Sequence, residues 1–189
     1  MKTIYVKTLS DEDLVFKIAE TNNSQLFAIL YDRFSKVVYN KCYGFSKSKE
    51  EAEDLTHDVF IRLFVKLKTF KGNSKFSTWL YSFTYNFCVN YVQRNAHKKK
   101  EKVTVVTDNI KDDDFSQEVE DATLFELKSE KLAKALALID PADKMILLMK
   151  YRDDMSIKEI QQVLEVGESA VKMRIKRAKQ RVVRTYEEL

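Results

Sequence analysis

The chain has 189 residues, with 33 basic against 29 acidic side chains and a formal net charge of +4, which leaves room for one medium domain or two small ones. Three glycines and one proline are too few turn formers for a β-sandwich or barrel. Hydrophobic residues at 44% and charged ones at 33% exclude a disordered chain and favour an all-helical one.

No apolar run approaches the roughly 18 residues of a membrane helix, so no membrane insertion is expected. The start, Met1-Lys2-Thr3-Ile4, leads into charged residues without an apolar stretch, so no secretion signal is expected. Cys42 and Cys88 have neither metal-ligand spacing nor the look of a disulfide framework. A reduced cytoplasmic compartment fits them.

Ser10, with Asp13 three residues on, is expected to cap a short helix running to about Glu20. Ser24 is read as the cap of the next, in which Leu26, Phe27, Leu30, Phe34, Val37 and Val38 recur at helical spacing. Ser48 caps a third helix, with Glu50, Glu51 and Glu53 near its positive dipole end. Its core face is Ala52, Leu55, Val59, Phe60, Leu63, Phe64 and Leu67. Gly72-Asn73-Ser74 marks a turn. A fourth helix is predicted from near Ser77 to about Arg94.

That fourth helix holds Phe76, Trp79, Tyr81, Phe83, Tyr85, Phe87 and Tyr91. A helix buries one stripe, so these rings cannot all face one core. Packing on two sides is one explanation. The other is a surface of rings interleaved with Asn86, Asn90, Gln93 and Arg94. Rings stack on unpaired bases at roughly 1–3 kcal/mol each, and amides bond base edges. Such a surface suits single strands better than duplex.

Charge then segregates. Arg94, Lys98, Lys99, Lys100 and Lys102 form a basic run. Asp108, Asp112, Asp113, Asp114, Glu118, Glu120 and Asp121 follow as an acidic stretch. Residues 96–121 lack helical periodicity and read as a linker. Ala122 to Ile139 is predicted as a helix. Asp140-Pro141 opens another as N-cap and first helical residue. Ser156 and Glu159 form a capping box ahead of Ile157, Ile160, Val163 and Leu164. The turn Glu165-Val166-Gly167 leads into a basic helix from Glu168 to about Tyr186, with Val171, Ile175, Ala178 and Val182 inward. Short helix, tight turn and basic helix have the spacing of a helix-turn-helix. Ser169, Lys172, Met173 and Lys176 face outward near its start, where base edges are read. Arg177, Lys179, Arg181 and Arg184 are expected along phosphates or in solvent. A solvated basic face on two packed helices is the plainer alternative.

Three stretches resemble one family. These are Glu53-Asp54-Leu55-Thr56-His57-Asp58-Val59-Phe60-Ile61-Arg62-Leu63-Phe64, Phe76-Ser77-Thr78-Trp79-Leu80-Tyr81 on to Asn86 and Asn90-Tyr91, and Tyr151 through Ile157-Lys158-Glu159-Ile160 to Ala178. In this order they resemble bacterial RNA polymerase sigma factors of the extracytoplasmic-function (ECF) type. The resemblance implies an all-α protein of two small helical domains. Residues 1–95 are the core-binding and −10 recognition domain, 96–121 an acidic flexible linker, and 122–189 the −35 helix-turn-helix domain. Asp54, Leu55, His57, Asp58, Ile61 and Arg62 are implied to dock on core RNA polymerase; the family often has Gln at His57. The loop with Phe70, Lys71, Asn73, Ser74 and Lys75 is implied to hold a flipped −10 base. Trp79 marks the strand-separation position, and Asn86, Asn90 and Arg94 face −10 DNA. Ser169, Lys172, Met173, Lys176 and Arg177 are implied to contact the −35 element. The family has Ala at Gln161 and Gly at Glu165, and a left-handed turn at Glu165 costs about 1 kcal/mol.

The implied partners are core RNA polymerase, promoter DNA and a cognate anti-sigma factor, with no cofactor, no metal and no catalytic residues. No glycine-rich phosphate loop is present, so DNA is melted by binding energy alone. The acidic linker is expected to mimic nucleic acid in a cationic polymerase channel. The competing class is a helix-turn-helix regulator with a helical partner-binding domain, acting without polymerase. An RNA-binding adaptor built on the aromatic helix is a third reading.

Overall fold

The computed structural model describes residues 9–100, with side chains to Asn95, together with 119–121 and 127–189. Most of the predicted linker therefore lies outside the described residues, including Asp112, Asp113, Asp114 and Glu118. Among the described residues no helix is long and apolar enough to cross a membrane. Contacts divide the chain into two units, Met1–Cys88 and Val89–Leu189.

The first unit is built from α1 (Asp11–Thr21), α2 (Ser24–Tyr43), α3 (Lys49–Lys66), a 3₁₀ turn (Leu67–Thr69) and the start of α4 (Phe76–Lys100). Ser10 caps α1 by accepting from the Asp13 N–H, and its hydroxyl donates to the Asp13 carboxylate at 2.6 Å. The cap of α2 is Asn23, not Ser24. The Asn23 Oδ1 accepts from the N–H groups of Gln25 and Leu26, and the longer side chain reaches two orphan donors at once. Ser48 caps α3 as expected.

Leu14 and Ile18 of α1, Leu30 and Val38 of α2, Leu55 and Leu63 of α3, and Phe76 and Leu80 of α4 form the core. Thr56 and Thr84 are also buried, and their hydroxyls donate to the carbonyls of Ala52 and Leu80, so neither is orphaned. Lys41 is only 4% exposed. Its ammonium lies 4.1 Å from the Tyr81 ring centroid and 5.1 Å from that of Tyr85, an electrostatically favourable berth for a buried cation. Cys42 and Cys88 are buried thiols outside any disulfide. Their sulfurs are 3.8 Å apart, and the contact with Cys88 lowers the Cys42 pKa.

Helix α4 continues to Lys100, past the predicted end at Arg94 and into the start of the predicted linker. Ala and Lys are good helix formers. These local preferences carry the helix on after its apolar periodicity ends.

The second unit contains α5 (Ser129–Leu138), α6 (Pro141–Leu147) continued by a π turn (Leu148–Arg152), α7 (Ile157–Leu164) and α8 (Glu168–Glu188). Helix α5 starts at Ser129; the predicted span through 122–126 lies outside the described residues. Asp140 caps α6 through the Ala142 N–H, with Pro141 at the first helical position. Ser156 and Glu159 form the reciprocal capping box. Val171, Ile175, Ala178 and Val182 are buried, so α8 turns its apolar stripe inward as predicted.

Three cations of α8 make ion pairs within this unit: Lys179 is largely covered, at 13% exposure, while Arg181 and Arg184 stay in solvent. Arg181 pairs with Asp143 at 2.6 Å. Arg184 pairs with Glu188 at 3.0 Å. Lys179 bonds the Val119 carbonyl and the Asp121 carboxylate. The Lys179 ammonium first, then the Tyr151 hydroxyl, hold the Asp121 carboxyl below its ordinary 3.8. The Tyr151 hydroxyl is raised in turn, by burial first and then by Asp121. A depressed carboxylate adds stability that is present above its unfolded pKa and is lost as the pH falls through its folded one. Acid titration of unfolding should therefore show a loss below about pH 4 that Asp121→Asn removes. With Asp121 55% exposed, the effect is small.

Candidate nucleic-acid and polymerase interfaces

On α3, the spacing of Asp54, Asp58, Ile61 and Val65 places them on one outward face. Ile61 is 67% exposed and Val65 70%. Two large aliphatic side chains thus stand in water among carboxylates, an apolar spot of the kind that suits a partner surface. His57 lies at one edge of this face, lining a groove of about 230 Å³ with Tyr39 and Glu53. Arg62 lies at the other, its guanidinium 5.1 Å from the Phe87 ring centroid, which ties α3 to α4. Leu55 is 2% exposed and supports this face from beneath. Val65 was not singled out in the sequence, although its four-residue spacing from Ile61 was visible there.

Helix α4 divides its rings between two tasks. Phe76 and Tyr85 are fully buried. Trp79, Tyr81, Phe83, Phe87 and Tyr91 are each half-buried. Trp79 and Phe83 stack with centroids 5.7 Å apart and an interplanar angle of 13°. The helical period puts Trp79, Phe83, Asn86, Asn90, Gln93 and Arg94 within one stripe of α4. The last four are exposed. Flat rings at one end and amides beyond them match what opened strands offer, π-faces and base edges. The sequence showed Phe83 as one ring among many; its stacking on Trp79 follows from their four-residue separation.

The loop before α4 is anchored by Phe70, which is 5% exposed. Its ring lies 5.6 Å from both Phe76 and Trp79. Phe70 is thus the floor of the loop, not part of its surface. Lys71, Asn73 and Lys75 are exposed and Ser74 is half-buried. Gly72 has φ +73°, and a Cβ there would lie 3.1 Å from the Phe16 ring. Both the left-handed backbone and the close ring call for glycine.

In the second unit, α7 and α8 form the helix-turn-helix. Ser169, Lys172, Met173 and Arg177 are exposed and Lys176 is half-buried. Lys172 pairs with Glu168 one turn back at 2.6 Å, which lowers the Glu168 carboxyl. Met173 is 49% exposed among these polar groups. Apolar contact plus lysine at the start of a helix suits the major groove.

The turn carries strain at Glu165, which has φ 54° and ψ 40°. Gly167 has an ordinary φ of −70°, and a Cβ there would meet nothing. The glycine therefore sits two residues from where the backbone calls for one. Glu165→Gly should stabilise this unit by about 1 kcal/mol, raising its melting midpoint by roughly 4–8 °C. Calorimetry of the two chains checks this; an unchanged or lower midpoint contradicts it.

A family model for Sigma-70 region 2 matches residues 30–98, and one for Sigma-70 region 4 matches 129–182. The ECF RNA polymerase sigma factor SigW of Bacillus subtilis is 29% identical over 172 residues, covering 87% of this chain and 90% of that one. The ECF RNA polymerase sigma-E factor of Escherichia coli is 23% identical over 179 residues, covering 92% and 93%. Among solved structures, CnrH in complex with the cytosolic domain of CnrY shares the fold at 19% identity, with a TM-score of 0.60 over 94% of this chain and 97% of that one. RpoE of Bartonella quintana, solved with the anti-sigma factor NepR, shares it at 16% identity, with a TM-score of 0.59 over 85% and 96%. With both regions matched in order around the ring-bearing helix and the helix-turn-helix, the chain belongs to the ECF sigma factors of bacterial RNA polymerase.

Proposed function

We propose that this sigma factor docks on core RNA polymerase through the outward face of α3, reads the −35 element with α8, and captures opened −10 DNA with the loop 70–75 and α4. The domain limits that go with this are residues 1–95 and 122–189, on either side of the linker. The observation that carries the reading is the α4 stripe, where stacked, half-exposed rings run on into exposed amides.

Melting a duplex costs about 1.4 kcal/mol per stacking step, and capture of an extruded base offsets a few kcal/mol of it. The α4 rings and the loop supply that capture, and the protein needs no chemical step of its own. Asp54, Asp58, Ile61 and Arg62 make the polymerase contact, with His57 at its margin and Leu55 holding their helix in place. Asn86 and Asn90 bond base edges, and Lys71, Lys75 and Arg94 face phosphates. On α8, Ser169, Lys172, Met173 and Lys176 meet the groove and Arg177 its backbone.

The solved relatives with anti-sigma partners support a cognate anti-sigma factor here as well. A role on promoter DNA supports a cytoplasmic location. The test is transcription from a promoter carrying both elements, with core polymerase and the chain added together. Specific initiation that needs Asn86 supports the reading. Duplex binding without transcripts favours a regulator that acts without polymerase.

A further inference from the structure

A loop that captures a base binds it best if its shape exists beforehand, because ordering it on binding subtracts from affinity. Two contacts that shape loop 70–75 come from far away in sequence. The Phe76 N–H, first in α4, donates to the Glu12 carboxylate at 2.8 Å across 64 residues of sequence. A carboxylate at a helix N-terminus meets both an orphan donor and the positive dipole end. One turn along α1, Phe16 lies 5.7 Å from the Phe70 ring. The same ring closes against Gly72, the left-handed residue of the loop. Phe16 is nevertheless 46% exposed, so its outer side is open beside the loop. Helix α1 precedes the residues 30–98 that match region 2.

We infer that Glu12 and Phe16 are positioning residues for −10 recognition: Glu12 fixes where α4 begins, and Phe16 fixes the loop backbone at Gly72. Base selection by loop 70–75 then depends on α1, which carries none of the residues assigned to DNA. The inference rests on the reading of that loop as the base-capturing element.

The experiment uses the full chain with core RNA polymerase and a pool of promoter duplexes randomised across the −10 element. The best template and its single-base variants are then transcribed by wild type, Glu12→Ala, Glu12→Gln and Phe16→Ala. Discrimination is the ratio of transcripts from best and altered templates. Affinity for core polymerase and the melting midpoint are measured in parallel. Glu12→Ala and Phe16→Ala should each lower discrimination at one −10 position about tenfold, with core affinity within about twofold of wild type. Glu12→Gln keeps an acceptor oxygen and should restore most of the ratio. Unchanged discrimination in both alanine variants overturns the inference. So does a fall that only tracks lost core affinity and melting midpoint, which is a structural role alone. A wild-type chain that initiates but selects no −10 base removes the role of the loop itself, and the inference with it.

Discussion

Replacing Trp79 with Ala should lower the rate of promoter opening about 30-fold or more while leaving duplex −35 binding in place. The ring is half-buried: one side packs on Phe70, Phe76 and Phe83, and part of it is accessible. A stacked ring contributes roughly 1–3 kcal/mol per base, and losing it here also loosens Phe83 and the loop floor. Trp79→Phe keeps a stacking face and should retain a large part of the rate. Asn86→Ala removes one amide from an exposed site and should cost about tenfold, with no loss of folding stability. Open-complex formation followed by a fluorescent base in the −10 element reads all three. Equal rates for wild type and Trp79→Ala would remove the ring stack from the mechanism.

Ile61→Glu should weaken binding to core polymerase about 30-fold or more and leave the fold intact. Ile61 is 67% exposed, so a carboxylate there stays in water in the free protein and changes stability by no more than about 0.5 kcal/mol. If the α3 face is the docking surface, the same carboxylate would be trapped against an apolar contact in the complex. Central contacts of an interface carry about 2 kcal/mol or more, and each 1.4 kcal/mol is tenfold in Kd. Leu55→Glu is the contrasting case. With Leu55 at 2% exposure, a charge there has no solvent and should unfold the first unit. Circular dichroism beside a core-binding titration separates the two. If Ile61→Glu binds as tightly as wild type, the α3 face is not the docking surface.

Local signals carried much of the fold. Ser10, Ser48, Asp140 and the Ser156–Glu159 pair cap their helices as read, because a cap is a contact within three residues. The inward stripe of α8 was equally plain, since helical periodicity needs no knowledge of what lies opposite. The strained turn at Glu165 was visible as a departure from the family pattern. Contacts between distant residues were not visible. Lys179 and Arg181 were expected along phosphates or in solvent, because nothing local reveals Asp121 or Asp143 beside them. Phe70 was grouped with the residues implied to hold a flipped −10 base, yet three rings close around it. Glu12 lay in a helix that carried no motif, and its role depends on a backbone N–H brought to it by folding.

Potassium permanganate oxidises thymines that have left the stack, so it reports strand opening directly. On a supercoiled promoter with core polymerase, adding the chain should make −10 thymines reactive, core polymerase alone should not, and Trp79→Ala should suppress the signal. Protected thymines with the wild-type chain bound at its −35 site would contradict the claim that α4 grips separated strands.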